Sequence, residues 1–191
     1  TTDNGPWLSY GTHAGAATPL REGKSTMFDG GCRVPTIMRW PGTIPAGTVC
    51  KTPAMTIDIL PTIAHLIGAK LPDHKIDGQN IWPLIKGEPG ASSPQPAYFF
   101  YWGYELQAVR MGRWKLHFPH PYTTLGGRPG GKGGIPVKYQ TAKIDLSLFD
   151  LESDSGEKAN VADLHPATVA PIKTLADRMR PDYVFAVDTF V

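Results

Sequence analysis

The sequence predicts an α/β protein in which a small antiparallel sheet, covered by a carboxy-terminal helix, follows part of an α/β layer. Three observations predict it. Trp114, Leu116 and Phe118 alternate with Lys115 and His117, the two-residue period of a strand, so the polar pair shares the opposite face. Val169, Ile172, Leu175, Ala176 and Met179 recur at the period of an amphipathic helix between His165 and Met179. Ile57, Leu60, Ile63, Ala64 and Ile67 do the same between Thr56 and Ala69, behind a short apolar run, Val34 to Trp40.

In chain order, residues 1–33 are rich in glycine and polar residues without periodicity, which predicts a long functional loop. Val34 to Trp40 reads as a strand buried on both faces and ended by Pro41-Gly42. A Pro/Gly connector leads to the helix 56–69, with Thr56 or Thr52 as cap, Pro61 tolerated in its first turns and Gly68 at its end. His65 reads as a helix-surface histidine. Residues 70–96 form a connector with a helical turn around 82–85. Strands follow at 97–102 and 107–118, the latter broken by a turn at Met111-Gly112. Residues 119–140, rich in Gly, Pro and Lys, read as a mobile flap or a substrate-shaping loop, and Ser147 to Leu151 as a last strand. Two domains are expected, 1–95 and 96–191.

At 191 residues the chain can bury a core, roughly 70% of its unfolded surface at this size. Its 41% hydrophobic and 19% charged residues are those of a globular protein. A net charge of +2 argues against nucleic acid or an anionic membrane surface as partner, so any anion must be bound locally. No apolar stretch is long enough to span a bilayer. Two cysteines, Cys32 and Cys50, make no disulfide framework and are read as free.

The candidate chemistry begins at Asp3-Asn4-Gly5. A carboxylate beside an amide oxygen on a tight turn suits an oxygen-seeking cation such as Ca²⁺ or Mg²⁺, although an Asp-Asn-Gly turn also forms without metal. Lys24 follows Gly23 with few apolar neighbours, either a solvated lysine or an anion ligand. Gly23-Lys24-Ser25 is not the end of a P-loop, because Thr18 stands where that pattern needs glycine. His13 lies in the polar run Gly11-Thr12-His13-Ala14-Gly15 and is either an exposed loop histidine or a substrate contact.

The runs TTDNGPWLSYGTHAG and PLREGKSTMFDGGCRVPTIMRWPGTIPAG resemble the second half of the sulfatases, the arylsulfatase type in particular. The resemblance continues in order through MTIDILPTIAHLIGA, IDGQNIWPLIKGE, VRMGRWKLHFPH and LFDLESDSGEKANVAD. It implies part of an alkaline-phosphatase-like fold. It also implies that Asp3 and Asn4 complete a Ca²⁺ site with two carboxylates of the amino-terminal half, and that Lys24 reaches the sulfate oxygens. His117, in the Trp-Lys-x-His pattern, and His13 would line the pocket, with a structural histidine the competing reading for His117. Arg21 would hold its loop by pairing with a carboxylate, and Asp150 and Asp154 would shape a turn. Trp7, Trp102 and Tyr104 are aromatic walls of a sugar pocket or, by default, core.

The family's nucleophile is a formylglycine made in a Cys/Ser-x-Pro-x-Arg motif. Cys32-Arg33-Val34-Pro35 has the wrong spacing and no following arginine, so the nucleophile is expected upstream and the chain alone is expected to be inactive. The implied substrate is a sulfated small molecule or carbohydrate. The implied partner is the amino-terminal half, or a second copy associating through apolar edges. The implied location is secreted, periplasmic or lysosomal. A phospho- or phosphonohydrolase of the same superfamily and a non-catalytic binding module are the alternatives.

Overall fold

The computed structural model describes residues 1–187, with side chains described through Arg180. In chain order the helices are α1 (Asp29–Cys32), α2 (Ile59–Ile67), α3 (Trp82–Lys86) and α4 (Pro166–Val187). The strands are β1 (Tyr98–Trp102), β2 (Glu105–Met111), β3 (Trp114–His117), β4 (His120–Thr124), β5 (Gln140–Ile144) and β6 (Ser147–Asp150). Two compact units result, one made of residues 1–35 with those from 97 onward, the other of residues 36–96.

In the first unit, β1, β2, β3 and β6 form an antiparallel sheet in the order β1-β2-β3-β6. The β2–β3 register sets Val109 opposite Leu116 and Arg110 opposite Lys115, and the β3–β6 register sets Leu116 opposite Leu148 and Lys115 opposite Phe149. Period 2 therefore delivers Val109, Leu116 and Leu148 to one face, where they meet Val169, Ile172 and Ala176 of α4. Burying each of the larger of these side chains stabilises by roughly 1.5–3 kcal/mol. The other face carries Lys115 and His117, as the alternation predicts, beside a second apolar cluster of Phe28, Phe149, Leu151 and Ile144. The β2–β3 turn falls at Gly112, whose φ of 59° is the left-handed conformation a tight hairpin needs. The 119–140 stretch is more ordered than expected, since its first residues form β4, paired with β5 in a separate two-stranded ladder. Pro121 inside β4 hides that strand from a pattern reading, and it is tolerated because β4 has a single partner strand.

In the second unit, a 3₁₀ turn at Thr56–Asp58 runs into α2, and Gly68 closes it with φ 65°. The cap is neither Thr56 nor Thr52. Asp58, fully buried, accepts hydrogen bonds from the backbone N–H of Met55 and of Gln79, both 2.9 Å. Thr62 donates to the Asp58 carbonyl (2.6 Å) and accepts from Ile81 N–H (2.9 Å), tying α2 to the segment before α3. His65 is exposed, as expected. Residues 34–40 do not form the expected strand and are not buried, with Ile37 89% exposed. Among the described residues no strand lies alongside to complete a ladder, and at its end Trp40 O instead accepts the N–H groups of Thr43 and Ile44 in a turn.

Candidate active site

Glycines assemble the amino-terminal segments of the first unit. A Cβ at Gly5 would collide with the Gly30 carbonyl oxygen, one at Gly23 with that of Pro6, and one at Gly31 with that of Thr26. With no side chains between them, the backbones bond directly: Gly5 N–H to Gly31 O (2.9 Å), Lys24 N–H to Pro6 O (2.9 Å) and Gly30 N–H to Arg21 O (2.9 Å). The Asp3-Asn4 pair and Lys24 thus sit on adjoining segments. Asp3 is exposed and Asn4 half-buried; the Asn4 amide donates to the Asp3 carboxylate, and the Thr2 hydroxyl donates to its other oxygen. Lys24 is half-buried, its Nζ 5.5 Å from the centre of the Trp7 ring, a cation–π distance.

Three non-glycine residues among those described have positive φ: Glu22 (58°), Ser25 (74°) and Glu157 (49°). Such backbones cost about 1–3 kcal/mol each and persist only where their surroundings over-determine them. Two flank Lys24. The third contacts the same loop from the far end of the chain.

That contact is a buried charge cluster. Lys115 Nζ lies 2.8 Å from Asp29 Oδ1 and 3.1 Å from Glu157 Oε1, with all three residues essentially without exposure. Glu157 Oε2 accepts Asp29 N–H (2.6 Å), and Oε1 is 2.9 Å from His117 Nε2. Arg110 and Arg33 stand 3.8 and 3.7 Å from Asp29 Oδ2 at the rim. Burial opposes charge on Glu157, but the Lys115 ammonium and the His117 hydrogen bond outweigh it and hold the carboxyl at about 2. Burial pushes His117 down to about 4 against the pull of Glu157. The imidazole is therefore neutral near pH 7 and donates Nε2–H to Glu157, a hydrogen bond rather than an ion pair.

Of the candidate residues, Asp3, Asn4 and Lys24 are brought together. His13 is exposed at the end of the 3₁₀ segment Leu8–His13. His117 is enclosed in the charge cluster, stacked on Phe28 with ring centres 4.6 Å apart, and is not on an open surface. The Gly-rich part of 119–140 packs against the segment before His13, where Gly131 and Val137 N–H both bond Ser9 O. Arg21 is structural, as expected, but its partners are the Glu157 carbonyl (2.7 Å), the Tyr122 hydroxyl (2.9 Å) and the Phe28 ring rather than a carboxylate. Trp7, Trp102 and Tyr104 are exposed, not core. Both cysteines are free, and burial pushes the Cys32 thiol up to about 11, which leaves it unreactive. Asp29 and Glu157 escaped the sequence reading. The available signal was Lys115 and His117 on one strand face, since buried polar groups need partners.

Among the described residues no group of three or more His, Cys, Asp or Glu side chains is arranged to hold a metal. Asp3 and Asn4 fit Ca²⁺ in kind, being hard oxygen donors side by side, and would supply two of the six to eight it takes.

Two family profiles match the chain, each over about half of it. Residues 23–118 match the carboxy-terminal region of N-sulphoglucosamine sulphohydrolase, and residues 93–190 the carboxy-terminal region of aryl-sulfatase. The chain belongs to the sulfatase family. It is 39% identical to bovine (Bos taurus) arylsulfatase A over 173 residues, covering 85% of this chain and 32% of that protein. It therefore spans about a third of the length of the curated sulfatases it matches. Among solved structures, the PsFucS1 sulfatase from Pseudoalteromonas sp. shares the fold with a TM-score of 0.75 at 24% identity, over 95% of this chain and 36% of that one. Ps i-CgsB, solved with k-i-k-neocarrahexaose, gives 0.67 at 27% identity, over 93% of this chain and 34% of that one. These sulfatase neighbours bear out the expected partial alkaline-phosphatase-like fold.

Proposed function

We propose that this chain is the carboxy-terminal part of an enzyme that hydrolyses sulfate esters, aryl or carbohydrate, and that it supplies Lys24, Asp3 and Asn4 to the active site. The observation that carries this is the glycine-locked apposition of the Asp3-Asn4 turn with the Lys24 loop in a chain of the sulfatase family. The Lys24 ammonium neutralises charge on the sulfate oxygens and on the leaving oxygen as the ester bond breaks. Its half-buried side chain, with the ammonium beside the Trp7 ring, supports a charge positioned in advance of substrate. Asp3 and Asn4 would hold a Ca²⁺ whose chemistry, when bound, is to draw negative charge from the sulfate. The formylglycine nucleophile is expected outside these residues, so the isolated chain should not turn over substrate.

Exposed Trp102 and Tyr104, together with the oligosaccharide bound to Ps i-CgsB, favour a carbohydrate sulfate. Family membership supports a secreted, periplasmic or lysosomal setting. No helix among the described residues is long and apolar enough to cross a membrane.

The test compares an aryl sulfate with the aryl phosphate of the same alcohol, using the full-length protein with and without a Ca²⁺ chelator. Chelator-sensitive release of sulfate alone is the expected result. Preferential phosphate release would favour the phosphohydrolase reading, and absence of turnover on both the binding module.

A further inference from the structure

We propose that Glu157 is the positioning residue of the active site: from the carboxy-terminal turn it fixes the backbone of residues 21–31, and with it Lys24 and the Asp3-Asn4 pair. The proposal rests on the reading of Lys24 as the sulfate-binding group.

Glu157 touches the loop at two places that bracket Lys24. Its carboxylate accepts Asp29 N–H at 2.6 Å, and its carbonyl accepts Arg21 Nη1–H at 2.7 Å. The other carboxylate oxygen is held by Lys115 and His117 of β3, so the sheet sets where Glu157 stands. The Arg21 guanidinium lies 4.1 Å over Phe28, and its second nitrogen bonds Tyr122 of β4. Glu22 adds an anchor by accepting the Thr124 hydroxyl (2.7 Å). From Asp29 the order passes through α1 to Gly31, whose carbonyl takes Gly5 N–H. The described residues with strained non-glycine backbones, Glu22, Ser25 and Glu157, all belong to this one arrangement.

Both carboxylate oxygens act only as acceptors here, so Glu157→Gln must place an amide NH₂ against either Asp29 N–H or the Lys115 ammonium. In hydrogen exchange on the full-length protein, this variant should lose protection in amides 22–31 by about tenfold or more while β2 and β3 keep theirs. Unchanged protection of 22–31, or an equal loss in β2 and β3, would overturn the proposal.

Glu157→Asp keeps the charge but shortens the reach, and it serves in the same measurement should Glu157→Gln not fold. In turnover of an aryl sulfate, it should lower kcat about tenfold or more, as expected of a misplaced reactive group. In a Lys24→Ala background the same change should cost several-fold less, because one of the groups being positioned is gone and only the Asp3-Asn4 pair remains. Equal losses in both backgrounds would assign Glu157 a merely structural role. If Lys24→Ala alone left kcat intact, the sulfate-binding reading would fail, while the exchange measurement would still decide whether Glu157 holds the loop.

Discussion

The two units complete themselves differently. In the first, both faces of the sheet are covered, one by α4 and the other by Phe28 and by Asp29 and Glu157, which pair with Lys115. In the second, α2 turns Ile59, Leu60, Ile63 and Ile67 to solvent, and with Met38, Trp40 and Trp82 the unit leaves an apolar groove of about 410 Å³. Both α2 and α4 carry apolar residues at helical spacing, more sharply in α2, yet only α4 buries its stripe within the described residues. Periodicity therefore reports that a face is meant to be covered, not that this stretch of chain covers it.

The largest expected effect tests whether the charge cluster completes the first unit. Lys115→Met keeps the stem's packing but removes the buried cation between Asp29 and Glu157, leaving only Arg33 and Arg110 at the rim beside Asp29. It should cost about 3–5 kcal/mol in denaturant unfolding of this chain. Leu116→Ala, on the α4 face, should cost about 2–5 kcal/mol, comparable but by cavity formation. If Lys115→Met were neutral while Leu116→Ala was not, the charged face would be ornamental and the comparison would break.

A pH series is next in size. His117 and Glu157 both have folded pKa values below their unfolded ones, so each stabilises the fold above its unfolded pKa. The His117 contribution is complete above about 6.5 and is lost as pH falls toward about 4, because the unfolded imidazole takes up a proton first. The Glu157 contribution is complete above about 4.5 and is lost toward about 2. Between pH 7 and 4.5 the first alone should remove on the order of 2 kcal/mol, seen as a fall in Tm, and His117→Asn should flatten that window.

The smallest effect belongs to the second unit. Leu60→Lys on the exposed face of α2 should change the stability of this chain by less than about 0.5 kcal/mol. It should also lower self-association in light scattering. A loss as large as that of Leu116→Ala would mean that α2 is covered within the chain after all.

The sheet, α2 and α4 were legible in the sequence because each repeats a local period. Gly68 and the β2–β3 turn were legible because left-handed backbone selects glycine. Residues 34–40 were misread because an apolar run becomes a strand only beside another strand. β4 was missed because Pro121 interrupts its pattern. Asp3, Asn4 and Lys24 stood out as candidates because they lie in short-range patterns that match a family. Glu157 did not, since its partners lie 128, 42 and 40 positions away at Asp29, Lys115 and His117, and no local rule links them.

The most direct measurement is kcat/KM for an aryl sulfate with the full-length protein, wild type against Lys24→Ala. Loss of one preorganised charge at the reacting group should lower it about 10²–10³-fold with the fold intact. A Lys24→Ala protein that hydrolyses the ester at the wild-type rate would contradict the assignment of this loop to the active site.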